Sequence, residues 1–149
     1  MVTFATTWDS GEGAYRVGGR WNSKGRRTVY CALDPSTAIL EVAVHKGFKT
    51  LDTVAHVLTG IKILDPALVH VVARAEVPNP NCLVSGIPSA GQQAFGDCLL
   101  ADHLFVVIPS AVSTRSWNLI FDSQRAAGAY QLASQEPFAL DTRLHPPLG

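Results

Sequence analysis

Residues 34–47, DPSTAILEVAVHKG, mark out one element and both of its limits. Asp34 offers a side-chain oxygen to the first free N–H groups of a helix, and Pro35 suits the first helical position. His45 and Lys46 match the negative end of the helix dipole, and Gly47 stops the helix. Between these limits lie Ala38, Ile39, Leu40, Val42, Ala43 and Val44, which leave hardly any polar face. A helix apolar all round is a buried helix. The exception is Glu41, and an ionised carboxylate among apolar neighbours is costly unless it is paired or lines a polar pocket. Two readings stand level: a structural charge paired to a core arginine or set on a narrow wet stripe, and a carboxylate placed for chemistry.

The rest of the chain supplies partners for such a helix. With 149 residues, 47% hydrophobic and 16% charged, it suits one domain over 1–149 with a substantial core. Thr28 to Ala32 has strand composition, Val69 to Val77 alternates like a strand, and Leu104 to Ile108 is a short apolar strand closed by Pro109. Trp117 to Phe121 reads as a further strand, and Tyr130–Ala133 with Phe138–Leu140 as two short strands that pair near the C-terminus. A helix is expected near Gln92 to Ala101, a turn at Pro78–Asn81, and helix or loop over Ser123–Gly128. Short strands with one or two helices give an α+β domain with a mixed sheet.

Several function classes lose support here. Lys plus Arg and Asp plus Glu number twelve each, a poor balance for neutralising phosphates along a nucleic acid. Cys31, Cys82 and Cys98 form no CxxC pair and read as buried free thiols. His45, His56, His70, His103 and His145 lack metal-ligand spacing, so no metal is expected. No GxSxG elbow, phosphate-binding P-loop or GxGxxG fingerprint occurs. MVTFATTWDS does not read as a secretory signal, and no apolar run approaches membrane-spanning length, so a cytoplasmic protein is expected.

Three residues join Glu41 as candidates. Arg20 follows Gly18-Gly19, where glycines admit a ligand close to the backbone and a guanidinium forks onto phosphate or carboxylate. Tyr30 lies in the strand before the Glu41 helix, and Ser110 ends the apolar strand at Pro109. Singly, each has an ordinary explanation: a solvated turn arginine, a core aromatic, a turn serine.

Together they form a pattern. Gly18–Gly25 (GGRWNSKG), Val29–Ala32 (VYCA) and Ala38–His45 (AILEVAVH) resemble the RES domain, a family named for its Arg, Glu and Ser. Gln93–Asp97 resembles its Gln-x-x-Gly-Asp stretch, and Val107–Val112 with Asn118-Leu119 its Val-Pro-Ser-Ala block. Pro137–Leu144 resembles its closing segment. The family usually begins with a short strand carrying an aromatic-Arg pair ahead of the Gly-rich segment 9–25, whereas only MVTFATTW precedes Asp9 here, so that Arg is absent or the chain starts late. It also reads Phe121-Asp122-Ser123-Gln124 where Asn-Pro-x-His is common.

The resemblance implies an ADP-ribosyltransferase-like fold, a split mixed β-sheet with surrounding helices. It implies a growth-inhibiting toxin that breaks the nicotinamide–ribose bond of NAD, its substrate, and a DNA-binding Xre-type antitoxin as partner. It places Glu41 against the developing charge on the ribose, Arg20 on the pyrophosphate, Tyr30 against nicotinamide or ribose, and Ser110 and Asn118 at ribose or carboxamide. A cellular target protein, water or inorganic phosphate are the possible acceptors of ADP-ribose, with transfer to protein favoured by the altered Asn-Pro-x-His segment. The rival from another class is a nucleotide- or partner-binding module without turnover. Direct nucleic-acid or membrane partners are not expected, and apolar stretches around Leu58–Leu68 or the C-terminus are conceivable docking sites.

Overall fold

A computed structural model describes residues 7–78, 88–139, 141 and 143. The Asp34 signal works as expected. Asp34 accepts hydrogen bonds from the Thr37 amide at 2.9 Å and the Thr37 hydroxyl at 2.7 Å, and helix α2 runs Pro35–Lys46 to a left-handed Gly47. The Thr37 hydroxyl, then its amide, hold the Asp34 carboxyl below the usual carboxylate range.

Ahead of α2 lie a short helix α1 (Glu12–Val17) and strand β1 (Thr28–Ala32); after it come α3 (Phe48–Thr53) and β2 (His56–Ile63). β3 (Val69–Val71), α4 (Ala90–Asp102), β4 (Phe105–Pro109), β5 (Trp117–Asp122) and β6 (Tyr130–Phe138) follow. The larger sheet has the order β1-β5-β4-β3, antiparallel except for the parallel β3–β4 pair. Parallel neighbours need a long crossover, and α4 lies in it. A second, two-stranded sheet pairs β2 with β6 antiparallel, with a register shift at Gly60/Ile61. The fold is α+β with a split mixed sheet, in agreement with the expectation.

Alternation along the strands sorts the core into two halves. Val106, Ile108 and Ile120 on one face pack with Trp21, Val72, Val77 and Leu100, flanked by Tyr30, Phe95 and Leu99. Val29, Phe105, Val107, Leu119 and Phe121 on the other face meet Ile61, Ile63 and Tyr130 of the smaller sheet. β4 is therefore covered on both faces and buried along its whole length.

Some expectations are corrected. The strand expected over Val69–Val77 stops at Val71, and residues 74–76 form a 3-10 turn in which the Glu76 carboxylate accepts the Ala73 amide at 2.5 Å. Val72 and Val77 still reach the core, so apolar spacing survived a change of backbone. Tyr130–Ala133 and Phe138 do not pair with each other. They are two ends of β6, whose partner is β2; Leu140 lies outside the described residues. The Glu41 helix is not buried all round, since Leu40 and Val44 are exposed. Cys31 is half-buried, Cys98 is exposed, and Cys82 falls outside the described residues, so the thiols are not uniformly buried. Burial pushes the Cys31 thiol up to about 11. Residues 123–128 are turns, and 79–81 lie outside the described residues. The stretch from Leu58 is mostly half-buried strand, though Leu64 and Leu68 are exposed.

Candidate functional site

Glu41 leaves α2 toward the larger sheet. One carboxylate oxygen, Oε1, accepts from the Ser110 hydroxyl at 3.0 Å and from the Asn118 side-chain amide at 2.8 Å. The other, Oε2, is 3.9 Å from His45 Nε2, one helical turn on, and the side chain keeps 24% of its surface exposed. The carboxylate is thus gripped through one oxygen, while the other faces the more distant His45 ring.

The grip follows from register. Asn118 on β5 lies opposite both Ala32 of β1 and Ile108 of β4, and Ser110 is two residues beyond Ile108 on the same face. Ser110 is fully buried. Its oxygen also accepts the amides of Val112 at 3.1 Å and Ser113 at 3.3 Å, so its one proton is committed to Glu41. Ser110 therefore stands behind the carboxylate and positions it. Asn118 uses its amide nitrogen on Glu41, while its buried Oδ1 has no partner among the described residues.

Arg20 sits in a different structure. With Trp21 it forms the tip between Gly19 and Asn22, whose backbones bridge through a 2.9 Å Gly19 N–H to Asn22 carbonyl bond. Asn22 is fully buried: its amide nitrogen donates to the carbonyls of Ala14 at 3.2 Å and Ser23 at 2.9 Å. Its Oδ1 accepts from the Tyr30 hydroxyl at 2.6 Å, and that hydroxyl accepts the Trp21 amide at 3.0 Å. Gly19 has to be glycine, because a Cβ there would lie 2.5 Å from the Tyr30 hydroxyl. Burial holds the Tyr30 phenol well above its ordinary range; the Arg20 charge pulls the other way and is outweighed.

The structure joins these two halves through the sheet. Tyr30 pairs with Ile120 and Ala32 with Asn118, so Tyr30 and Asn118 are diagonal neighbours on one face. The Arg20 turn rests on the first and the Glu41 carboxylate on the second. The Tyr30 ring flanks the core and its hydroxyl lies beneath the turn. Asn22, Gln93 and Asp97 are residues that sequence reasoning left without a role, and His45 it read only as a charge at the helix end. All four occur within the quoted family blocks, which was their one available signal at the site.

A separate concavity of about 330 Å³ is lined by Lys24, Arg26, Arg27, Asp97, Asp122 and neighbours, and excludes Glu41, Ser110 and Asn118. Both of its arginines are paired: Arg26 with Asp97 at 3.3 Å and Asp122 at 3.4 Å, and Arg27 with Glu12 outside the lining at 2.5 Å. Where the family commonly has Asn-Pro-x-His, Asp122 instead caps a turn, accepting the amides of Gln124 and Arg125. Among the described residues no group of His, Cys, Asp and Glu is placed to hold a metal ion, and no helix is long and apolar enough to cross a membrane.

Comparison with known proteins bears on the same residues. The RES domain family matches residues 2–141. The chain is 31% identical to Toxin Res of Pseudomonas putida over 139 residues, covering 91% of each protein. It is 51% identical to Toxin Res of Yersinia enterocolitica over 41 residues, 28% of this chain and 26% of that one. In fold it is similar to the Mycobacterium tuberculosis MbcT-MbcA toxin-antitoxin complex, with a TM-score of 0.68 and 24% identity over 87% of this chain and 76% of that one.

Proposed function

The chain belongs to the RES domain family, and from that premise we propose that it is the toxin of a toxin–antitoxin pair that cleaves NAD. The nicotinamide–ribose bond breaks with both electrons leaving on the ring nitrogen, which discharges the pyridinium and releases neutral nicotinamide. The ribose carbon left behind has oxocarbenium character, as in glycoside hydrolysis. No proton has to be delivered to the leaving group. Catalysis then consists of holding the dinucleotide still and stabilising positive charge where it develops.

Glu41 carries this reading. Its carboxylate, on a side chain about a quarter exposed and held by Ser110 and Asn118 through one oxygen, is a fixed negative charge that need not reorganise as the bond breaks. Arg20, at the tip of a braced turn, pairs with the pyrophosphate through its planar fork. Ser110 and Asn118 orient the carboxylate, and Tyr30 supports the arginine turn. An acceptor X–H bonds to the ribose carbon through X, and its proton passes to the Glu41 carboxylate and from there to water. A protein side chain leaves ADP-ribose attached to a target, water gives free ADP-ribose, and inorganic phosphate gives ADP-ribose-1″-phosphate. The partner is a DNA-binding antitoxin of the Xre type, and the similarity to relatives called toxins supports that pairing.

The experiment is release of nicotinamide from NAD by purified protein, with and without phosphate and with cell lysate. Glu41→Gln removes the charge but keeps the shape, and release should fall by at least about a hundredfold, the scale seen when preorganised electrostatic stabilisation is deleted. Undiminished release by this variant refutes the assignment.

A further inference from the structure

The turn that carries Arg20 is pinned from a helix far away in sequence. On α4, Gln92, Gly96 and Leu100 form the buried stripe, and Gln93 and Asp97 flank it one turn apart. Gly96 lets the helix press directly on the turn: a Cβ there would lie 1.9 Å from the Trp21 carbonyl oxygen. At that close approach the Gln93 side-chain amide donates to the Gly19 carbonyl at 2.9 Å. Asp97 accepts the Ser23 amide at 3.2 Å and the Ser23 hydroxyl, and pairs with Arg26.

Two of these contacts, with one from Tyr30, fall on the peptide groups on either side of Arg20 and at the end of the turn. The Gly19 carbonyl belongs to the peptide entering Arg20 and is held by Gln93. The Trp21 amide belongs to the peptide leaving Arg20 and is held by Tyr30. The Ser23 amide closes the turn and is held by Asp97. With the peptide planes on both sides held, the backbone at Arg20 is restrained and the direction of its Cα–Cβ bond is set before any ligand arrives. Such preorganisation lowers the ordering cost of binding.

We propose that Gln93 and Asp97 are positioning residues that act through the Gly19–Ser23 backbone to hold Arg20 ready for a pyrophosphate. The proposal rests on the pyrophosphate role given to Arg20 above. Neither side chain is assigned a contact with the ligand; their effect passes through the turn.

The test is a double-mutant cycle read by calorimetric binding of ADP-ribose and by KM and kcat for NAD. Gln93→Ala should weaken ADP-ribose binding and raise KM by roughly tenfold, the scale of one well-placed hydrogen bond, with kcat nearly unchanged. Asp97→Asn, which keeps an acceptor for Ser23 but loses the charge, should fall between wild type and Asp97→Ala. In an Arg20→Ala background Gln93→Ala should have no further effect on binding. An equal loss in both backgrounds, or unchanged binding in Gln93→Ala, overturns the proposal. Amide hydrogen exchange separates this outcome from failure of the NAD reading. If wild type neither binds ADP-ribose nor releases nicotinamide, the functional reading fails. The positioning claim then stands only if exchange at Gly19–Ser23 still accelerates in Gln93→Ala, and falls if it does not.

Discussion

The two halves of the candidate site are built in opposite ways. The Arg20 turn is held mainly through its backbone, by Tyr30, Asn22, Gln93 and Asp97 arriving from three separate segments. The Glu41 half is held through a side chain. Helix α2 has Leu40 and Val44 exposed and engages the sheet at this point by one carboxylate oxygen. A guanidinium on a long flexible stem is costly to freeze on binding, and a rigid base keeps the backbone from adding to that cost. The Glu41 side chain also has several rotors, and its tip is aimed by the hydrogen bonds from Ser110 and Asn118.

The contrast can be broken most severely at Gly96. Gly96→Ala drives a methyl group into the Trp21 carbonyl, and overpacking against backbone has no rotamer escape. The expected result is a loss of more than about 10 °C in melting temperature or failure to fold, seen by circular dichroism, whereas Gly13→Ala, which meets open space, should be silent. Next in size is Ser110→Ala. It frees Glu41 from one of two anchors and orphans the amides of Val112 and Ser113. Nicotinamide release should drop roughly tenfold in kcat with KM nearly kept, and stability by about 1–2 kcal/mol in chemical denaturation.

Titration sharpens the comparison from both ends of the pH scale. Tyr30 in the Arg20 half and Cys31 beside it titrate above their ordinary 10.0 and 9.0 because burial favours the neutral forms. The stability they contribute is complete below those ordinary values and is lost as pH rises toward the folded ones, about 11 for Cys31. Tryptophan fluorescence, through Trp21, should therefore report loosening of the turn above about pH 10. Asp34 at the start of α2 is held below its ordinary 3.8. Its contribution is present above that value and is lost as pH falls through the lowered one, so acid should fray the Glu41 helix first. Smallest of all, Val44→Ser on the exposed side of α2 should change stability by less than about 0.5 kcal/mol.

Legibility in the sequence divides along the same line. The Glu41 helix could be read to the residue, because Asp34, Pro35 and Gly47 are local signals for local bonds. β1, β4 and β5 were legible within a residue for a similar reason, being short apolar runs closed by breakers. The α1 helix was hidden by the glycines around it. β2 was hidden because Thr59 and Gly60 interrupt its apolar pattern and its partner β6 lies far along the chain. Over residues 69–77 alternation predicted burial correctly and backbone incorrectly, since a turn can present the same two valines to the core. Arg20, Tyr30, Glu41 and Ser110 stood out singly and family resemblance joined them with Asn118; in the structure Tyr30 and Asn118 share a sheet face, with the Arg20 turn resting on the first and the Glu41 carboxylate bonded to the second. The braces Gln93 and Asp97 act across a separation of 74 residues, which no local pattern encodes.

Strand β5 lies between β1 and β4 although it is the second-last strand in the chain. A polypeptide leaving the ribosome exposes Arg20 and Glu41 early, yet Asn118 and Ser110, which aim the carboxylate, emerge only when most of the protein has been made. A chain abandoned midway through translation would therefore carry the carboxylate without the two side chains that grip it, since these belong to segments synthesised near the end.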